Sequence, residues 1–103
     1  MADRKHLQRL ERELVDKGKL IEAGWVGLRL AAIPLDAPAY QLEAMRESFF
    51  AGAQHLFAAI MEILEPGEDP TTADLSRMQK IDGELREFIQ VFELRHFPSQ
   101  GKA

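Results

Sequence analysis

Apolar side chains recur at helical spacing in three segments of the chain, and breaking residues separate these segments. The breaks are marked by Pro34 and Pro38, by Pro66 and Pro70, and by Pro98 with Gly101. Proline interrupts an α-helix beyond its first turn, and apart from Pro38 at the start of the second segment no proline stands inside the three segments. The pattern therefore predicts helices at about 3–33, 37–65 and 71–97. Within the first of them, Gly18 is expected to bend one long helix.

Each segment carries an apolar stripe of its own. The stripe of the first segment consists of Leu7, Leu10, Leu14, Ile21, Trp25, Leu28 and Ala32. The second is wider and consists of Leu42, Met45, Phe49, Phe50, Ala53, Leu56, Phe57, Ile60, Ile63 and Leu64. The third steps alternately by three and four residues through Met78, Ile81, Leu85, Phe88 and Phe92. Among these side chains we expect a buried core that includes Leu28, Phe49, Leu56, Ile60 and Leu85.

The three predicted helices would be rods of roughly 46, 43 and 40 Å, well matched for side-by-side packing. Both connections are short, which favours antiparallel neighbours. The expected fold is all-α, an antiparallel three-helix bundle of long helices. With 103 residues, the chain has room for one domain, predicted at 1–97 and followed by a flexible tail at 98–103.

Two helix starts carry capping signals. Thr71 is followed three residues later by Asp74, a form of the capping box that begins a helix. For the second helix, Asp36 is the better N-cap, and Ala37 is the alternative because it precedes a proline.

The second half of the first segment is apolar or small on nearly all sides, and this predicts an interface. Only Glu22 and Arg29 are charged between positions 20 and 33. Two partner helices from the same chain would leave part of such a helix exposed, and a second copy could cover the remainder. The predicted interface of a homodimer consists of Gly24, Val26, Gly27, Leu30, Ala31, Ile33, Ala51, His55 and Ala58.

Composition narrows the class of protein. The formal net charge is −4, hydrophobic residues make up 46% of the chain, and there is no cysteine. This is an ordinary globular balance without disulfides or thiol chemistry, compatible with a reducing compartment. No signal peptide or membrane span is visible, so a cytoplasmic location without a membrane partner is expected.

Candidate catalytic groups are few. The three histidines, His6, His55 and His96, lie on three different predicted helices. Gln41, Ser48, His55 and Glu62 recur every seven residues along the second helix, either as a polar seam at a subunit contact or as a solvated face. Two residues seven apart on a helix are about 10 Å apart, so a serine–histidine dyad is excluded within one chain. We expect no catalytic residues and no cofactor.

The metal alternative rests on Glu93 and His96, a Glu-x-x-His pair of the kind that ferritin-like di-metal bundles use. Such a site needs two pairs and further carboxylates. A dimer could double the single pair, with Glu62 or Glu22 as helpers. Arg95 and His96 are explained more simply as cations that interact favourably with the C-terminal end of the helix dipole, so no metal site is expected.

A basic stripe on the first helix offers another class of partner. It consists of Lys5, Arg9, Arg12 and Lys19, interrupted by Asp16. Nucleic-acid binding would need more charge and interleaved aromatic side chains. We interpret the stripe as a solvated face and expect no nucleic-acid partner.

The segments Leu20–Arg29 and Phe49–Phe57, which read LIEAGWVGLR and FFAGAQHLF, resemble small uncharacterised proteins encoded in bacterial and prophage-like genomes. That resemblance implies a phage-associated role and transfers no activity or site residue. The expected function is a non-enzymatic, homodimeric protein–protein interaction or assembly module. The alternatives are a phage-encoded inhibitor or adaptor of a host protein and a di-metal carboxylate protein.

Overall fold

A computed structural model describes residues 3–63 and 69–97, and over these ranges the chain is all-helical without a β-strand. The predicted all-α class is confirmed. The described helices are α1 (Arg4–Asp16), α2 (Leu20–Ala32), α3 (Ala39–Ile63) and α4 (Thr72–His96). The predicted tail at 98–103 lies outside the described residues.

The chain divides into two compact units, Met1–His55 (unit 1) and Leu56–Ala103 (unit 2). Unit 1 holds α1, α2 and the first part of α3. Unit 2 holds the last residues of α3 and all of α4.

The predicted continuous helix at 3–33 is wrong, because α1 ends at Asp16 and the chain turns at Gly18. Gly18 has a φ of +79°, in the left-handed region where a Cβ atom is costly. Its N–H donates to the Val15 carbonyl at 3.0 Å, and the Lys19 N–H donates to the Leu14 carbonyl at 2.9 Å. These two bonds form the Schellman motif, which ends a helix at a left-handed glycine. Gly18 is thus a helix terminator and not a bend.

After this turn, α2 runs back along α1. The Arg4 guanidinium, at the start of α1, donates to the Leu30 carbonyl near the end of α2 at 2.9 Å. Because opposite ends of the two helices meet, α1 and α2 form an antiparallel hairpin. A cation at this helix end also interacts favourably with the helix dipole.

The core of unit 1 lies between the helices of this hairpin and the first part of α3. Its buried members are Leu7, Trp25, Val26 and Ile33. Phe49 of α3 packs against them, with its ring centroid 6.1 Å from that of Trp25.

Of the two helix starts with predicted caps, only the start of α4 agrees with the prediction. The Thr71 hydroxyl accepts from the Asp74 N–H and the Asp74 carboxylate accepts from the Thr71 N–H, each at 3.1 Å, so the predicted capping box is confirmed. At the start of α3, the Pro38 carbonyl accepts from the N–H groups of Gln41 and Leu42 at 3.0 and 3.1 Å. Because α3 begins at Ala39, the cap lies beyond the expected Asp36 or Ala37.

The predicted core is only partly correct. Leu28, Phe49, Leu56 and Ile60 are half-buried, and Leu85 is exposed. The buried side chains lie in α1 and α2 and at Ile33, because the chain reversal at Gly18 presses these two helices together.

Candidate interaction surface

The apolar stripe of α4 exposes two large side chains in its middle. Met78, Ile81 and Phe92 are half-buried. Leu85 and Phe88 retain 49% and 59% of their accessible surface. Ile89, which borders the stripe, is also exposed. We call the set Met78, Ile81, Leu85, Phe88 and Phe92 the α4 stripe.

Aromatic rings gather at the C-terminal end of the α4 stripe. The ring centroid of Phe92 lies 5.6 Å from that of Phe88, 4.4 Å from that of His96 and 6.4 Å from that of Phe97. Tilted and edge-on pairs at these distances are favourable. The rings shield Phe92 and His96 from water, while Phe88 stays exposed.

Charged side chains border the N-terminal part of the α4 stripe. Arg77 pairs with Asp74 at 3.3 Å and Arg86 pairs with Asp82 at 2.7 Å. The hydrogen bond to Asp82 raises the pKa of Arg86. All four side chains lie on α4 itself, so these contacts stabilise the helix and connect it to no other element.

The last residues of α3, in unit 2, repeat the division into two faces. Leu56, Ile60 and Ile63 are half-buried, whereas Phe57 and Met61, about 100° and 140° round the helix from Leu56, are exposed. Apolar exposure in unit 2 is therefore not confined to α4.

The interface residues predicted on the first segment are mostly used inside unit 1. Val26 keeps only 2% of its surface and Ile33 is also buried, and Leu30 packs against the same core. The expectation that these three side chains point away from their own chain is wrong, because α1 folds back over them. Ala31 is half-buried.

The two glycines of that prediction are explained by close approach within unit 1. A Cβ atom on Gly24 would lie 3.2 Å from Cζ of Phe49, and one on Gly27 would lie 2.8 Å from Oε2 of Glu11. Because these positions carry no Cβ atom, Phe49 of α3 can lie close to Gly24, and Glu11 of α1 can lie close to Gly27. The close packing expected of these glycines is therefore found inside the chain.

The remaining predicted interface residues, Ala51, His55 and Ala58, are exposed on α3. Gln41, Ser48 and Glu62 of the seven-residue recurrence are exposed as well, and the Ser48 hydroxyl donates to the Ala44 carbonyl of its own helix at 3.1 Å. A contact of these residues with a second copy stays a prediction.

Sequence reasoning missed one electrostatic contact in unit 1. The Arg46 guanidinium donates to both carboxylate oxygens of Glu22, with an Nε–Oε2 distance of 3.1 Å, and lies 4.4 Å from the Phe50 ring centroid. This hydrogen bonding lowers the pKa of Glu22 and raises that of Arg46. The pair joins α2 to α3, and no sequence spacing could have revealed it because the residues are distant along the chain.

The metal alternative gains no further ligand over residues 3–63 and 69–97. Glu93 is exposed, and His96 is half-buried beside Phe92. Nowhere in these ranges do three or more His, Asp or Glu side chains come together as a metal site would require. Within the described residues, the candidate ligands for a metal site are therefore limited to the Glu93–His96 pair that is visible in the sequence.

The basic stripe is solvent-exposed at Lys5, Arg9, Arg12 and Lys19.

None of the described helices is long and apolar enough to cross a membrane. Comparisons with protein-family models, curated proteins and solved structures gave no match to the chain.

Proposed function

We propose that the chain is a non-enzymatic protein–protein interaction module that self-associates as a homodimer through the α4 stripe. The observation that carries the proposal is the exposure of Leu85 and Phe88 in the middle of this stripe. Contiguous exposed apolar side chains usually mark an interaction site, because leaving them in water is unfavourable.

The spacing of the α4 stripe favours another helix as its partner. Its members alternate in steps of three and four, the heptad pattern by which helices pair along an apolar seam. A second copy supplies the same stripe, and two-fold pairing of identical surfaces is the commonest form of self-association. This assignment moves the proposed contact from α2 to α4.

The architecture proposed with this function is a helical bundle. The α1–α2 hairpin replaces the first of the three long helices that the sequence predicted, and an antiparallel arrangement of the remaining helices stays a prediction. The phage-associated role and cytoplasmic location are likewise proposals, which rest on the resemblance and on the composition.

The experiment is light scattering coupled to size-exclusion chromatography at tens of micromolar. We expect twice the chain mass of 11.7 kDa. Leu85→Glu and Phe88→Glu should each give a monomer, because a charge in the seam would be desolvated without a partner. Leu94→Glu is the matched control: Leu94 lies on the same helix with 75% of its surface exposed, but outside the stripe.

Circular dichroism of each variant separates loss of association from loss of helix. A wild-type monomer at these concentrations would contradict self-association and leave a host or phage protein as the partner to seek. A dimer that Leu85→Glu and Phe88→Glu leave intact would place the contact elsewhere. Elemental analysis of the same samples tests the metal alternative, and stoichiometric iron, manganese or zinc would contradict the non-enzymatic proposal.

A further inference from the structure

We propose that the two α4 helices pair in parallel and in register, with Arg77 of each copy facing Asp82 of the other. This inference rests on the proposed function, because it specifies the partner and the orientation at the same surface. The observations that carry it are the heptad positions of the α4 stripe and the charges along its edges.

The heptad assignment follows from the spacing. Met78, Leu85 and Phe92 occupy the a positions, and Ile81 and Phe88 the d positions. Parallel pairing in register stacks each of these side chains against its own copy. The seam members of the aromatic cluster, Phe88 and Phe92, would then meet the same rings of the second copy, which gives the exposed Phe88 ring an apolar neighbour.

The edge positions distinguish the two orientations. In a parallel pair, each g residue faces the following e residue of the other helix, and such pairs set partner choice and orientation. Arg77 is a g residue and Asp82 is the following e residue, so two opposite-charge pairs form by symmetry. The later edge positions, Ile89 and Val91, are apolar and widen the seam toward the aromatic end.

Antiparallel pairing loses the Arg77–Asp82 pairs. In that orientation, g residues face g residues across the seam. Two antiparallel alignments overlap four apolar layers. The alignment that pairs Met78 with Phe88 places Glu84 opposite Glu84 of the second copy, and the alignment that pairs Ile81 with Phe92 places Glu84 opposite Val91. Neither alignment forms an opposite-charge pair such as Arg77 with Asp82. Like charges at such positions are destabilising, and no basic g residue follows Glu84 on α4 to offset them.

The ion pairs within α4 do not prevent Arg77 and Asp82 from pairing with the second copy. Asp82 now pairs with Arg86 and Arg77 with Asp74, and Arg77 and both side chains of the Asp82–Arg86 pair are mostly solvent-exposed. Exposed pairs of this kind contribute little. Both side chains are therefore available to a partner helix that approaches the seam.

The absence of cysteine from the chain allows a direct test by single cysteine substitutions in the full-length protein. In a parallel pair in register, Met78→Cys places two thiols across the seam, within the Cα separation of about 6 Å that a disulfide needs. In an antiparallel pair, the same two thiols would be about 15 Å apart or more. We expect a disulfide-linked dimer from Met78→Cys, and none from Glu84→Cys or from the outward-facing control Lys80→Cys.

Charge exchange gives a second, independent measurement. Arg77→Asp and Asp82→Arg should each weaken dimerisation about five- to tenfold, because each creates two like-charge contacts. The double variant should restore the wild-type dissociation constant. The matched control exchanges Lys80 and Glu87, which lie away from the seam, and should leave dimerisation unchanged.

The outcomes separate this inference from the proposed function. Cross-linking at position 78 with rescue by the double variant supports the parallel pair. A dimer that does not cross-link through Met78→Cys overturns the orientation and leaves self-association standing, and cross-linking through Glu84→Cys would then identify the antiparallel alignment that pairs Met78 with Phe88. A monomer overturns both.

Discussion

The α1–α2 hairpin and α4 use the same kind of amphipathic helix and differ in what covers it. Leu7 of α1 keeps 1% of its surface because Trp25 and Val26 of α2 pack against it, whereas Leu85 of α4 keeps 49%. The difference does not come from hydrophobicity, since both side chains are leucine. It comes from the chain reversal at Gly18, which supplies α1 with a partner helix.

Polar contacts show the same contrast. In unit 1, the hydrogen bonds from Arg4 to Leu30 and from Arg46 to Glu22 join residues 26 and 24 positions apart. The side-chain bonds described for α4 join residues three or four positions apart. Unit 1 is therefore held by tertiary contacts, while the contacts described for α4 maintain only its own helix.

The largest expected effect tests this contrast with one substitution made in both places. Leu7→Ala should lower the free energy of unfolding by about 2–5 kcal/mol, because it leaves a cavity in a closed core. Leu85→Ala should cost less than about 1 kcal/mol in the monomer. Urea unfolding at concentrations where light scattering shows a monomer measures both. Equal costs would mean that Leu85 is buried within its own chain.

The next effect concerns the turn that creates the hairpin. Gly18→Ala should destabilise unit 1 by about 1–2 kcal/mol, because alanine resists the left-handed backbone conformation. Gly52→Ala is the control: Gly52 lies within α3, has an ordinary φ, and has open space around an added Cβ atom. A Gly18→Ala variant as stable as wild type would show that the turn can be made without this conformation.

The capping box of α4 should contribute less. Thr71→Ala removes the hydroxyl that accepts from the Asp74 N–H and should cost about 1 kcal/mol of helix stability. Amide hydrogen exchange in the first turn of α4 measures this locally. Thr72→Ala, one residue further on, is the control and should leave exchange in that turn close to wild type.

A smaller, stabilising effect is expected at Gly83 in α4. An added Cβ atom meets nothing within 4 Å, and the residue lies on the side of the helix away from the α4 stripe. Gly83→Ala should therefore strengthen the helix by about 0.5–1 kcal/mol and leave the dimer mass unchanged. Loss of the dimer in this variant would show that the outer face of α4 also takes part in association.

The smallest effect is a pH dependence in unit 1. Because Arg46 lowers the pKa of Glu22 below its ordinary 4.5, the folded state holds the carboxylate more strongly than the unfolded state does. This stabilisation is complete above the ordinary pKa and is lost as the pH falls through the lowered value. Glu22→Gln should thus lose less stability than wild type between about pH 6 and pH 3, a difference that salt should reduce because the pair is partly exposed.

Much of the fold could be predicted from local pattern. The bounds of α3 and α4 lie within two residues of the predicted 37–65 and 71–97, and Thr71 caps as expected, because both features depend on neighbouring residues. A helix end at Gly18 also has a local signal, since glycine after a periodic segment often ends a helix. The continuing apolar stripe concealed it, because α1 and α2 both turn apolar sides toward one core.

The candidate site was harder to predict. The spacing of the α4 stripe is visible in the sequence, yet the same spacing predicts Leu85 in the core, because periodicity indicates a face and not the element that covers it. Val26 and Ile33 were assigned to an interface for the same reason: the reversal that buries them is a tertiary event.

The sequence by itself determined which segments are helical, where α4 begins, and which side of each helix is apolar, since these follow from bonds and periodicities within a few residues. Only the tertiary structure decided which apolar faces are covered. That outcome depends on contacts between residues far apart in the chain: Leu7 with Trp25, Gly24 with Phe49, and Glu22 with Arg46. Burial is a property of neighbours in space, and it was the α1–α2 hairpin that moved the exposed surface away from α2 and left the α4 stripe as the candidate for association.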